Sequence, residues 1–136
     1  MEPLSLLSEA ARKKTTATKL TRNSKLLKTI VKAIQEKKGE NIVSLDLRKI
    51  HEAVADFFII CEASNPQQVR AIGEFVQEEV NEKCEERAYK HEGYQALQWV
   101  LIDYVNVVIH VMLPETRKFY QLEEMWSDAQ REEHVD

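Results

Sequence analysis

The chain has 136 residues, 43% of them hydrophobic and 31% charged, which suits one compact domain and leaves no room for two. No apolar run approaches the roughly 18 residues of a membrane span, and two cysteines, Cys61 and Cys84, cannot build the disulfide framework of a small secreted domain, so a soluble protein in a reducing compartment is expected. The formal charge of −4 conceals a division, because residues 1–28 carry +5 and residues 29–136 carry −9.

Residues 1–22 show no sustained periodicity and are read as a mobile basic arm ahead of a single domain over 23–136. Leu4, Leu6 and Leu7 are interrupted by Ser5 and Ser8 and followed by Glu9, unlike a secretory signal. An organelle transit peptide is the alternative, and Glu2 and Glu9 weigh against it. Asn23 or Ser24 can cap a helix whose stripe is Leu26, Leu27, Ile30, Val31 and Ile34, with Gly39 as its stop. Residues 41–47 (NIVSLDL) alternate as a strand does. After a polar interval, Phe57-Phe58-Ile59-Ile60-Cys61 reads as a central strand covered on both faces. Asn65 as N-cap, Pro66 at the first helical position and Gln68 at the third start a second helix, with Val69, Ile72, Val76 and Val80 as its buried stripe. A short strand is expected over 87–91, then a turn at Gly93 and strands over 98–104 and 107–112. A last helix after Pro114 would bury Phe119, Leu122, Met125 and Trp126. This order predicts an α/β fold with a mixed five-stranded sheet and helices.

The hairpin is the most informative segment. A turn at Val105-Asn106 pairs Tyr104 with Val107, Asp103 with Val108, Ile102 with Ile109, Leu101 with His110, Val100 with Val111 and Trp99 with Met112. One face then carries Val100, Ile102, Tyr104, Val107, Ile109 and Val111, suited to lying beneath helices. The other carries Trp99, Leu101, Asp103, Val108, His110 and Met112, a mixture of large apolar and polar groups that predicts an open docking surface. A covering helix, or a register shifted by one, is the competing reading.

Catalytic patterns are sparse. Phosphoryl and nucleotidyl transfer needs clustered carboxylates for divalent metal, and Asp46, Asp56 and Asp103 have no acidic neighbour two residues away. Gly39, Gly73 and Gly93 are scattered and form no phosphate-binding motif. His51, His91, His110 and His134 include no pair spaced i, i+4 and have no cysteine close in sequence, which speaks against structural zinc. A fold-assembled trio around His110 and Asp103 is a weaker alternative. Cys61 reads as a small hydrophobe, and Ser64 as part of a helix cap.

Taken in order, Asp56-Phe57-Phe58-Ile59-Ile60-Cys61, Gln68-Val69 with Ala71-Ile72, and His91-Glu92-Gly93-Tyr94 form the first half of a pattern. Trp99-Val100-Leu101-Ile102-Asp103-Tyr104, Val107-Val108-Ile109-His110-Val111-Met112, residues 115–123 (ETRKFYQLE) and Met125-Trp126-Ser127-Asp128-Ala129 complete it. Over about 26–129 the chain resembles the ribosomal silencing factor, or Iojap-like, family. It departs from the family pattern at Glu62-Ala63, at Gln68 and at the turn Val105-Asn106; residues 1–22 lie outside the likeness.

The resemblance implies a nucleotidyltransferase-like fold without catalytic carboxylates, no enzymatic activity and no cofactor. It implies binding to the large ribosomal subunit through ribosomal protein fourteen, which blocks joining of the small subunit and represses translation when nutrients are scarce. The partner-binding residues carried over are Trp99, Leu101, Asp103, Tyr104, His110 and Met112. A contact of the basic arm with ribosomal RNA, a homodimer and a cytoplasmic location, with an organelle matrix as the alternative, complete the expectations. The rival functions are a large-subunit assembly factor and a nucleotide-binding enzyme.

Overall fold

The computed structural model describes residues 24–135, so the basic arm expected over 1–22 lies outside the described residues. Helix α1 (Lys25–Glu36) buries Leu26, Leu27, Ile30, Ala33 and Ile34; Ser24 holds the N-cap position, but its hydroxyl makes no capping bond. Strands β1 (Glu40–Asp46) and β2 (Phe57–Glu62) follow, then helix α2 (Pro66–Cys84). Its start is over-determined. The Asn65 side chain accepts the Gln68 N–H at 2.9 Å, Pro66 leads the helix, and the Gln68 side-chain oxygen accepts the Ser64 N–H at 2.7 Å. The Gln68 amide also donates to the carbonyls of Lys37 and Lys38, which ties the start of α2 to the end of α1.

Strands β3 (Lys90–Glu92), β4 (Trp99–Asp103) and β5 (Val107–Met112), short helices α3 (Pro114–Tyr120) and α4 (Leu122–Met125), and strand β6 (Gln130–His134) complete the chain. The sheet order is β3-β4-β5-β2-β1-β6, with β2 and β5 parallel and the other neighbours antiparallel. The β4–β5 register is the predicted one, from Trp99 opposite Met112 to Asp103 opposite Val108. Its turn is the expected two-residue loop, closed by the Tyr104 N–H donating to the Val107 carbonyl at 2.8 Å, with a γ-turn inside it. Asn106 N–H donates to the Tyr104 carbonyl across Val105, whose φ of 73° is unusual for a β-branched residue. The Asp103 carboxylate accepts the Val105 N–H at 2.7 Å and holds that conformation.

Two expectations are corrected here. The sheet has six strands, not five. The extra one, β6, is the edge strand Gln-Arg-Glu-Glu-His, almost fully exposed and paired only with β1, so it has no apolar alternation to read. The expected last helix is two helices, broken at Gln121, where the backbone turns left-handed at φ 48°. Leu122 is buried and Trp126 half-buried, whereas Phe119 is 79% and Met125 53% exposed. The side of α3 that faces inward belongs to Arg117, not to Phe119.

Packing is in two layers. Helices α1 and α2 cover the face built from Phe57, Ile59, Val100, Ile102, Val107, Ile109 and Val111. The opposite face, with Phe58, Ile60, Trp99, Leu101, Val108 and Met112, is covered by Leu47, Ala53, Val54 and Ala55 of the β1–β2 connection and by Leu122, with Ile50 and Trp126 packed alongside. Strand β2 therefore contributes alternate residues to both cores, as its unbroken apolar run predicts. Among the described residues, no helix is long and apolar enough to cross a membrane.

Candidate functional site

The six expected partner-binding residues are all buried, five of them on the sheet face expected to be open and Tyr104 on the face beneath the helices. Leu101, Asp103 and Met112 have no exposed surface, and Trp99, Tyr104 and His110 keep at most a sliver. The expectation of an uncovered sheet face is thus corrected. The interval Arg48 to Ala55 reads as polar, yet it supplies Ala53, Val54 and Ala55, which with Leu47 cover that face. Register and face assignment were right; what lay above the face was not legible locally.

The polar members of this core satisfy each other in part. The Trp99 indole N–H donates to His110 Nδ1 at 3.0 Å, which fixes the neutral ring with its proton on Nε2. Burial pulls the His110 pKa down to about 3. A protonated ring would also turn Nδ1–H toward the indole N–H. In the unfolded chain the ring titrates near 6.5, so this contribution to stability is fully present above pH 6.5 and is lost as pH falls toward 3. The stability should fall by about 1.4 kcal/mol per pH unit across the middle of that window. Urea unfolding at pH 7, 6 and 5 tests this, and His110→Gln, which retains an acceptor for the indole, should flatten the slope.

From His110 a series of rings runs outward. Phe58 meets His110 edge-on at 4.8 Å, His110 lies 5.8 Å from Trp99, Trp99 4.7 Å from Tyr120, and Tyr120 5.0 Å from Phe119. The inner end is sealed and the outer end is in solvent, with Tyr120 47% exposed. Where Trp99 and Tyr120 meet, the surface opens into a groove of about 530 Å³. Thr116 and Gln98 line its one side, and residues His91 to Ala96 its other. Trp99 thus belongs to both core and groove.

The far wall is held by α2. The Tyr94 hydroxyl donates to Gln77 Oε1 at 2.8 Å, and its carbonyl accepts from Arg70 at 3.3 Å. Gly73 lies directly beneath: a Cβ there would collide with the Tyr94 hydroxyl, so this helical glycine permits the approach. His91 packs edge-on against Tyr94 at 5.1 Å. Phe119, Tyr120 and Thr116 are hidden as surface residues because the α3 sequence reads as part of a buried stripe, and Gln98 because it reads as the start of a strand. The inward turn of Arg117 sets its neighbours outward, and nothing local in the sequence marks it.

The other chemical candidates are placed as follows. Cys61 is fully buried, and burial pushes its pKa up to about 12, so it is no nucleophile. Tertiary structure does bring Asp46 and Asp56 to neighbouring strand ends, since Asp46 pairs with Phe57. That place is taken by Arg48, which grips Asp46 through two bonds of 2.9 and 2.8 Å. Its pKa is raised, first by the Asp46 hydrogen bond and then by the charges of Asp46 and Asp56. Among the described residues no group of three His, Cys, Asp or Glu side chains is arranged to hold a metal ion.

The chain is a two-layer α/β domain with an aromatic groove at one sheet edge. Comparison with known proteins gives it a family. Residues 20–136 match the family described as ribosomal silencing factor during starvation. The ribosomal silencing factor of Halalkalibacterium halodurans is 39% identical over 107 residues, covering 79% of this chain and 90% of that protein. The Bacillus subtilis factor is 36% identical over 104 residues, covering 76% and 86%. A crystal structure of a Chromobacterium violaceum protein superposes with a TM-score of 0.71 at 30% identity, covering 82% of this chain and 91% of that one. The chain belongs to the ribosomal silencing factor family.

Proposed function

We propose that this chain binds the large ribosomal subunit at ribosomal protein fourteen, blocks joining of the small subunit and so lowers translation when nutrients are scarce. The observation that carries the reading is the exposed pair Phe119 and Tyr120, standing on Trp99 at the mouth of the groove. Exposed rings on a rigid support make interface anchors, because little conformational entropy is lost when they are covered. Trp99 stays at the centre of the expected contact. Leu101, His110 and Met112 pack around it and fix its position, while Asp103 and Tyr104 act at the far end of β4, where the Asp103 carboxylate holds the turn.

Occupancy is sufficient for silencing. A chain of this length has a radius of gyration of roughly 14 Å, so a docked copy holds apart two surfaces that must meet closely. A patch of about 800 Å² per partner gives useful affinity with no bond made or broken. This fits a nucleotidyltransferase-like scaffold that has lost its carboxylates, working in the cytoplasm without a cofactor. The −9 charge of residues 29–136 favours a protein target, and the basic arm of 1–22 would reach neighbouring RNA.

The test is a subunit-joining assay. Purified protein added to separated subunits should suppress formation of full ribosomes, and Tyr120→Ala combined with Phe119→Ser should relieve suppression at least tenfold with the melting temperature nearly unchanged. Full suppression by that variant would show that the groove mouth is not the contact.

A further inference from the structure

We propose that the outward face of α1 is a second contact, in which Lys25, Lys28 and Lys32 hold the phosphate backbone of RNA. This rests on the ribosomal reading above, since the large subunit supplies that RNA. The buried face of α1 sets its rotation: with Leu26, Leu27, Ile30, Ala33 and Ile34 turned inward, the three lysines at i, i+3 and i+7 stand exposed on the outer side. They span about 10 Å along the helix axis at 1.5 Å per residue, a reach suited to consecutive phosphates.

Three observations mark this stripe as more than ordinary surface charge. None of the three lysines makes an ion pair with another described residue, whereas Lys83 on α2 is bound to Glu79 at 2.8 Å. The helix carries no acidic residue before Glu36. The stripe also continues the basic run of Arg12, Lys13, Lys14, Lys19 and Arg22 in sequence, while residues 29–136 carry −9. That imbalance works as a guide, because the net negative charge of the rest of the domain disfavours RNA while the helix face attracts it.

The place of α1 makes the contact compatible with the first. Lys28 and Lys32 border a groove whose other lining includes Ser44 of β1 and Glu132 and His134 of β6. The aromatic groove is at β3 and β4, and β4 and β1 are three strand positions apart, about 14 Å at 4.8 Å per strand. Protein and RNA can therefore be held at once, and the two contacts add without competing.

The experiment is a salt titration. Binding of the full chain to purified large subunits is measured over a range of KCl, for wild type, for Lys25→Gln/Lys28→Gln/Lys32→Gln and for Tyr120→Ala. Each phosphate contact contributes about 0.7–0.9 to the slope of log K against log salt. The triple variant should lose roughly 2 to 3 from that slope and bind at least tenfold more weakly at low salt. Tyr120→Ala should weaken binding at every salt concentration with an unchanged slope. A triple variant with wild-type slope and affinity overturns the proposal. If wild type fails to bind large subunits, the ribosomal reading falls; titration of a short RNA duplex then decides the stripe alone, supported if the triple variant is weaker and overturned if it is not.

Discussion

Trp99→Ala is expected to cost about 3–5 kcal/mol of folding stability and to lower the melting temperature by on the order of 10 °C. The indole is 5% exposed, packs in the layer with Leu101, Met112 and Leu122, and donates to His110. Its removal leaves a cavity and strands the buried Nδ1 acceptor, and both penalties act together. Trp99→Phe keeps most of the ring volume and loses the hydrogen bond, so about 1–3 kcal/mol is expected. Guanidinium unfolding of the two variants checks the ordering; equal, small losses in both would mean that the indole is not part of the core. The consequence for function is direct. Loss of subunit binding in Trp99→Ala cannot by itself mark a contact residue, and the test of the surface has to be made at Tyr120 and Phe119.

Arg117→Ala should be comparably severe, at about 3–5 kcal/mol. The guanidinium is 8% exposed and joins four elements: it donates to Glu123 at 3.2 and 2.7 Å, to the Asn41 carbonyl at 2.7 Å and to Glu62 at 3.3 Å. Burial pushes the Glu123 pKa up, but the hydrogen bonds and charge of Arg117 outweigh it, and the net shift is downward. Without Arg117 the Asn41 carbonyl loses its donor, Glu123 keeps of its ion pairs only the longer one to Arg131 at 3.9 Å, and Glu62 keeps only the Asn41 side-chain amide at 3.2 Å. The double-variant comparison isolates this: in a Glu123→Gln background the cost of Arg117→Ala should fall by at least 1 kcal/mol. Additive losses would show that Arg117 acts through its alkyl stem. The sign with pH follows from the Glu123 shift. Its contribution is present above the unfolded carboxylate pKa near 4.3 and is lost below it, so it is separable from the His110 effect, which begins near pH 6.5.

Arg117 also explains how the sequence misleads. Read by periodicity, Phe119, Leu122, Met125 and Trp126 form one stripe, and an arginine two residues earlier looks like solvent-facing charge. Only the convergence of Asn41, Glu62 and Glu123, separated by up to 82 positions in the chain, makes an inward arginine favourable and turns Phe119 out.

Local chemistry by itself determined the α2 start at Asn65-Pro66, the doubly covered strand β2 and the register of β4 on β5, because capping, apolar runs and alternation act between residues that are neighbours in sequence or across one turn. The charge division and the family likeness were legible in the same way. Strand β6, the cover over Trp99 and the outward rings of α3 were decided by tertiary structure. A charged edge strand has no pattern of its own, and whether a sheet face is open depends on where a distant segment comes to rest.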